Sequence, residues 1–261
     1  MALKSRWLAR SHQPPLLGRV VGACAAVGLF VLGGLGVGAV AQNGAAAPAS
    51  AGADFSGAWQ TRGFLRRVQP MDGTETPWLP WTKEAFDKRE AAEKAGSPLF
   101  DPTAACLPSG VPRIIAAPYP IEIIQTPTKV VILHEVQHLF RIIYLDKKEH
   151  PKKVTPSFFG HSIGHWEGDT LVVDTVGFND MTQIDEAGTQ HTDALHVVER
   201  IRKVDQKTLE DVFTIEDPKA FTKPWTARRV FSPKPGLRFI EYVCEENNRN
   251  APNAEGELRK F

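Results

Sequence analysis

From Lys129 onward the chain is cut into short β-branched runs separated by turn signals, and this pattern most narrows what it can fold into. The runs are 129–135, 138–145, 160–167, 170–178, 195–204, 208–216, 226–232 and 237–244. Between them stand Asp146-Lys147-Lys148, Gly168-Asp169, Asp205-Gln206-Lys207 and Ser232-Pro233-Lys234-Pro235-Gly236. Short strands at such spacing predict an all-β sandwich or barrel, and adjacent hairpins favour an up-and-down meander. One helix is expected, Thr82 to Ala95, with Thr82 as cap and Gly96 as stop. Its largely polar composition places it on the surface. Seven prolines between Pro98 and Pro127 exclude long helices there.

The N-terminus reads differently. Residues 1–19 carry Lys4, Arg6, Arg10 and Arg19 and no acid; Val20 to Ala41 is uncharged and ends in Ala39-Val40-Ala41. A basic start, an apolar run and an A-x-A ending predict a secretory signal peptide over 1–41. The run is also long enough to act as an uncleaved N-terminal anchor. Residues 42–53 read as a flexible Ala/Gly/Ser/Pro linker, 54–248 as one domain, and 249–261 as a C-terminal tail.

The net charge of +1 over 261 residues averages two unlike parts. Without the leader, 27 basic residues face 30 acidic ones, a net −3. That balance argues against a nucleic-acid partner. Disorder is excluded by 42% hydrophobic content with little net charge. Two cysteines remain, Cys106 and Cys244, and in an oxidising compartment they are expected to pair. The expected location is therefore periplasmic or secreted, with membrane contact only through an uncleaved residue 20–41 segment.

Three patterns could carry chemistry. His134-Glu135-Val136-Gln137-His138 spells H-E-x-x-H, but zinc needs that motif on a helix. The flanking Val130, Val131, Ile132, Ile142 and Ile143 favour strands, so a bend between two strands is expected instead. Around Gly168-Asp169 a two-residue II′ turn would pair Ile163 with Asp174, putting His161, Ile163, His165, Val172, Asp174 and Val176 on one face, whereas a three-residue loop would put Ser162, Gly164 and Trp166 on the face of Asp174. An Asp beside two His suits an oriented general base, a structural hydrogen bond, or an outward polar row. Third, Glu199 is the lone charge on the face Leu195, Val197, Glu199, Ile201, and could pair with Arg141 as a buried ion pair or act as an acid–base group. His191 lies in a turn-rich segment, Asp180 to Thr192, expected to close one end of the barrel. Trp166, Trp225, Arg200 and Arg141 are candidate ligand contacts.

Gly57-x-Trp59, at the start of a first strand, resembles the opening of lipocalin-type (calycin-like) barrels. A longer pattern, Gly160-His161-Ser162-Ile163-Gly164-His165-Trp166-Glu167-Gly168-Asp169-Thr170-Leu171-Val172-Val173-Asp174-Thr175, continues in Gly177-Phe178-Asn179, Glu199-Arg200, Asp217-Pro218, Pro224-Trp225 and Cys244-Glu245-Glu246-Asn247. It is similar to a family of exported bacterial proteins over roughly Asp54 to Asn248. The resemblance implies export and a single β-rich domain; it brings no activity and no site residue. Family members carry Asp-Gly-Arg where this chain has Asp146-Lys147-Lys148.

Two functions lead the expectations, ahead of a structural or envelope barrel that merely supports partner binding. One is an exported barrel enzyme using His161, His165, Asp174, His191 and Glu199 for acid–base chemistry, as a lyase, isomerase or hydrolase. The other is a non-catalytic lipocalin-like binder of a small molecule. No organic cofactor is expected; a divalent metal is compatible with the His and Asp content.

Overall fold

The computed structural model describes residues 53–97 and 99–244. The expected leader over 1–41, nearly all of the 42–53 linker and the 249–261 tail lie outside the described residues. The described residues form nine strands that close into a barrel. They are β1 Gly57–Thr61, β2 Ile121–Gln125, β3 Lys129–His134, β4 Phe140–Tyr144, β5 His161–Glu167, β6 Thr170–Val176, β7 His196–Asp205, β8 Thr208–Glu216 and β9 Trp225–Pro233. Each strand neighbours its successor, and β1 pairs with β9.

Eight of the nine neighbour pairs are antiparallel; β4 and β5 are parallel. An odd ring requires this. If every neighbour in a nine-strand ring alternated direction, β1 and β9 would run the same way. One parallel pair restores the alternation, and it needs a long crossover rather than a hairpin. Residues 145–160 supply it. The expected hairpin turn at Asp146-Lys147-Lys148 is therefore the start of a crossover.

Two further expectations are corrected. Residues 237–244 form no strand, and a strand not expected, β2, lies inside the proline-rich stretch from which long helices were excluded. Pro118 and Pro120 precede β2 without interrupting it, and its alternation buries Ile121 and Ile123. The helix, α1, spans Pro80–Lys94, with Leu79 at its N-cap. Proline suits the first turn because its missing N–H would have no helical partner there. The Thr82 hydroxyl is buried and bonds the carbonyls of Leu79 and Ala220, so it ties α1 to the barrel instead of capping it.

Inward rows build two apolar clusters. One gathers Phe55, Trp59, Ile123, Val130, Ile143, Leu171, Val173, Ile201, Leu209 and Phe231. The other contains Val197, Phe213, Ile215, Trp225 and Ala227, closed over by Ile184 of the 180–192 segment and by Ile114 and Ile115 of a one-turn helix, α2 (Arg113–Ala116). Cys106 and Cys244 form a disulfide. No helix among the described residues is long and apolar enough to cross a membrane.

Candidate functional site

Between the two clusters the barrel interior is polar. On β7 the inward row passes from Val197 to Ile201 through Glu199; on β8 from Phe213 to Leu209 through Asp211; on β9 from Ala227 to Phe231 through Arg229. Strand alternation places each of these charges inside because its neighbours at i−2 and i+2 are core residues. Arg141 on β4, His134 on β3, and Ser162 and Thr175 on β5 and β6 complete the belt, and all seven are buried.

Arg141 organises it. Its guanidinium donates to both carboxylate oxygens of Glu199, one at 2.8 Å, to Thr175 Oγ1 at 2.8 Å, and through Nε to Ser162 Oγ at 3.1 Å. Ser162 and Thr175 hydroxyls meet at 3.0 Å. Asp211 hydrogen-bonds Glu199; burial, then the Glu199 carboxylate, pushes the Asp211 carboxyl well above the ordinary range. Burial drives His134 the other way, down to about 3, and the nearby Arg141 charge adds to this, so the imidazole is neutral. Arg229 donates to the Gly63 carbonyl at 2.8 Å.

A cavity of about 30 Å³ opens on this belt. Its walls are mostly apolar: Ile114, Ile115, Ile121, Ile123, Ile132, Ile201, Leu209 and Phe231. Its polar lining is His134, Arg141, Glu199 and Asp211. His134 Nε2 and Asp211 Oδ1 are buried and have no hydrogen-bond partner.

The two buried groups give opposite pH dependences. His134 titrates lower folded than unfolded, so stability falls as pH drops from about 6.5 toward about 3. Asp211 titrates higher folded than unfolded, so its cost grows as pH rises above about 4. Asp211→Asn keeps a donor toward Glu199 and removes that cost. It should raise the melting temperature at pH 7–8 and leave it nearly unchanged at pH 4. A gain of about 1 kcal/mol would show as a rise of about 2–4 °C. Thermal unfolding at the two pH values checks this, and a rise of equal size at both would refute it.

The hairpin register is the expected one: Ile163 faces Asp174 and Gly168, with φ +64°, opens the turn. The expectation of an interior His161, His165 and Asp174 group is nevertheless corrected, because that row lines the outer wall. Its neighbours Ser162, Val173 and Thr175 are the inward ones. Both faces of this hairpin carry apolar residues, which is why hydrophobicity alone did not separate inside from outside. On the outer wall Asp174 meets His196 Nε2 at 2.7 Å. His150, from the crossover, joins His161 (Nδ1 to Nδ1, 2.8 Å) to Asp174 (3.5 Å). His165 stands apart, 64% exposed, against Glu167.

The remaining expected residues are dispersed. Arg141 and Glu199 do meet, inside. Arg200 is on the surface, paired with Glu167. Trp166 packs on Phe55 and Trp225 on Phe221. His191 is buried in the 180–192 segment, bonded to Thr182 Oγ1 at 2.7 Å and to the Thr192 carbonyl. H-E-x-x-H is no helix: His134 ends β3, and Gln137 and His138 have positive φ, so the two histidines diverge. Sequence reasoning passed over His134 and Asp211 as site residues. The signal that finds them is the one that found Glu199, a lone polar residue in an inward apolar row: Val130, Ile132, His134 and Leu209, Asp211, Phe213.

No family model matches the chain, and no curated relative does. One solved structure, a "secretary abundant heat soluble (SAHS) protein" from Ramazzottius varieornatus, is 12% identical with a TM-score of 0.34, over 70% of this chain and 98% of that one. At that level the likeness carries no functional argument, and the closed, predominantly antiparallel barrel rests on its own strand pairing.

Proposed function

We propose that the barrel binds a small, mainly apolar molecule in its interior and holds one uncharged polar group of it between His134 and Asp211. The observation that carries this reading is the pair of unpartnered buried atoms, His134 Nε2 and Asp211 Oδ1, on one apolar-walled cavity. Each unmade buried hydrogen bond costs about 1–3 kcal/mol, which a bound group would relieve. Protonated Asp211, bonded to Glu199, leaves Oδ1 as an acceptor, so the ligand supplies a donor there. A hydroxyl fits. A carboxylate would face Glu199, and Arg141 is already occupied by that residue.

The cavity as closed holds one or two waters, since a water needs about 10–15 Å³ in this measure. A larger ligand enters by displacing α2, whose Ile114 and Ile115 form part of the wall. One turn of helix between Gly110 and Pro118 is a smaller element to move than a strand. The disulfide supports a working place in the periplasm or outside the cell.

Titration of the purified protein with 1-octanol, and with octanoate as its charged counterpart, tests the reading. Octanol should bind saturably and octanoate should not. Asp211→Leu should weaken octanol about tenfold, the worth of one hydrogen bond. Equal binding of octanoate, or an unaffected Leu variant, would sink it.

A second reading is favoured by one observation. A carboxyl whose titration is pushed up and an imidazole whose titration is pushed down line the same cavity, as in acid–base catalysis. A lyase, isomerase or hydrolase would then use His134 and Asp211, not the outer His161, His165 and Asp174.

A further inference from the structure

The outer-wall cluster has a different chemistry from the barrel interior. His196 and His150 both turn Nε2 toward one oxygen, Asp174 Oδ1, at 2.7 Å and 3.5 Å. Each ring is tied back through its other nitrogen. His196 Nδ1 lies 3.3 Å from Glu216 Oε2, and His150 Nδ1 lies 2.8 Å from His161 Nδ1. His161 in turn stacks on Tyr144, with ring centroids 5.5 Å apart. His150 Nε2 is buried and makes no hydrogen bond.

The geometry points to a divalent transition-metal site formed by His150 Nε2, His196 Nε2 and Asp174 Oδ1. Metal-bound histidines characteristically have the second nitrogen hydrogen-bonded, often to a carboxylate, which fixes tautomer and ring orientation. Glu216 and His161 occupy those two positions here. Two imidazoles and a carboxylate suit Zn²⁺ and its neighbours rather than Mg²⁺ or Ca²⁺, which take oxygen ligands.

As they stand, no three His, Cys, Asp or Glu side chains among the described residues are placed to hold a metal ion, so binding requires these three donors to rearrange. Donors about 2.0–2.1 Å from one zinc, at angles of about 90–110°, are about 2.9–3.4 Å apart. The 2.7 Å contact must open, and the 3.5 Å contact close, by a few tenths of an ångström. Zn²⁺ would replace the proton shared by His196 and Asp174. Asp174 is 42% exposed and His196 32%, which leaves a path for the ion and room for water or a ligand in a fourth position.

The test is titration of tag-free protein with Zn²⁺ by calorimetry, with metal content measured after dialysis. One ion per chain is expected, with a rise in melting temperature. His150→Gln and His196→Gln should each weaken binding at least tenfold. Glu216→Gln, which touches no metal, should weaken it about 10–100-fold. His165→Gln, an exposed histidine outside the cluster, should change nothing. Co²⁺ should give visible bands that disappear in His196→Gln. The proposal is overturned if no ion binds at one per chain, if binding survives both His150→Gln and His196→Gln, or if His165→Gln removes it equally. Variants are compared after metal-free melting curves show parental folding; the Co²⁺ bands of the parent read the site without any substitution.

Discussion

Arg141→Met should destabilise the barrel by about 3–5 kcal/mol, a large part of the roughly 5–15 kcal/mol that a domain has in total. The substitution leaves Glu199 1% exposed and deprived of its bidentate partner. Ser162 and Thr175 lose a donor at the same time. Glu199→Leu in the Arg141→Met background should recover most of the loss, because a well-packed apolar pair of similar size avoids both desolvation costs. Urea unfolding of the single and double variants measures this. A single variant within about 1 kcal/mol of the parent would show that Glu199 finds water or a proton instead.

Reducing the Cys106–Cys244 disulfide should cost about as much. The residues are 138 apart in sequence and enclose β2 to β9. The loop-closure model gives about 5 kcal/mol for a ring of that size, acting on the unfolded chain. The native chain between β9 and Cys244 forms no strand; it is held by hydrogen bonds from Ile240 N to Glu135 and from Tyr242 N to His138, and Tyr242 packs on the core and on Tyr119. Cys106→Ser/Cys244→Ser should therefore keep the barrel but unfold at much lower denaturant, and its midpoint should ignore reductant. An unchanged midpoint would mean that the bridge pins only residues 234–244.

Much of the wall was legible in the sequence, and the reasons are local. Gly168-Asp169 suits a two-residue II′ turn, and the register that turn gives to β5 on β6 is the one formed. Glu199 was legible as a lone charge in an apolar row, and Arg141 as its possible partner. Three things were hidden. β2 was masked by prolines that flank it rather than interrupt it. Residues 237–244 have strand-like composition but no neighbour to pair with once β1 and β9 close the ring. The side of the wall on which Asp174 stands could not be read, since β6 buries residues on both faces. His134 was read within H-E-x-x-H, and that motif obscured its simpler place as the third member of an inward row.

The parallel pair has a mechanical consequence. β4 and β5 share just two paired positions, Ile143 with Ser162 and Tyr144 with Ile163, against seven between β5 and β6. The wall thus has a seam where backbone bonding is thin. Arg141 sits on β4, at its edge, and its side chain crosses the seam from within to grip β5, β6 and β7 in turn. Tyr144 and His161 clasp it from outside. The buried guanidinium is then less a charge that the core tolerates than a rivet, placed where an odd number of strands leaves the sheet least able to hold itself shut.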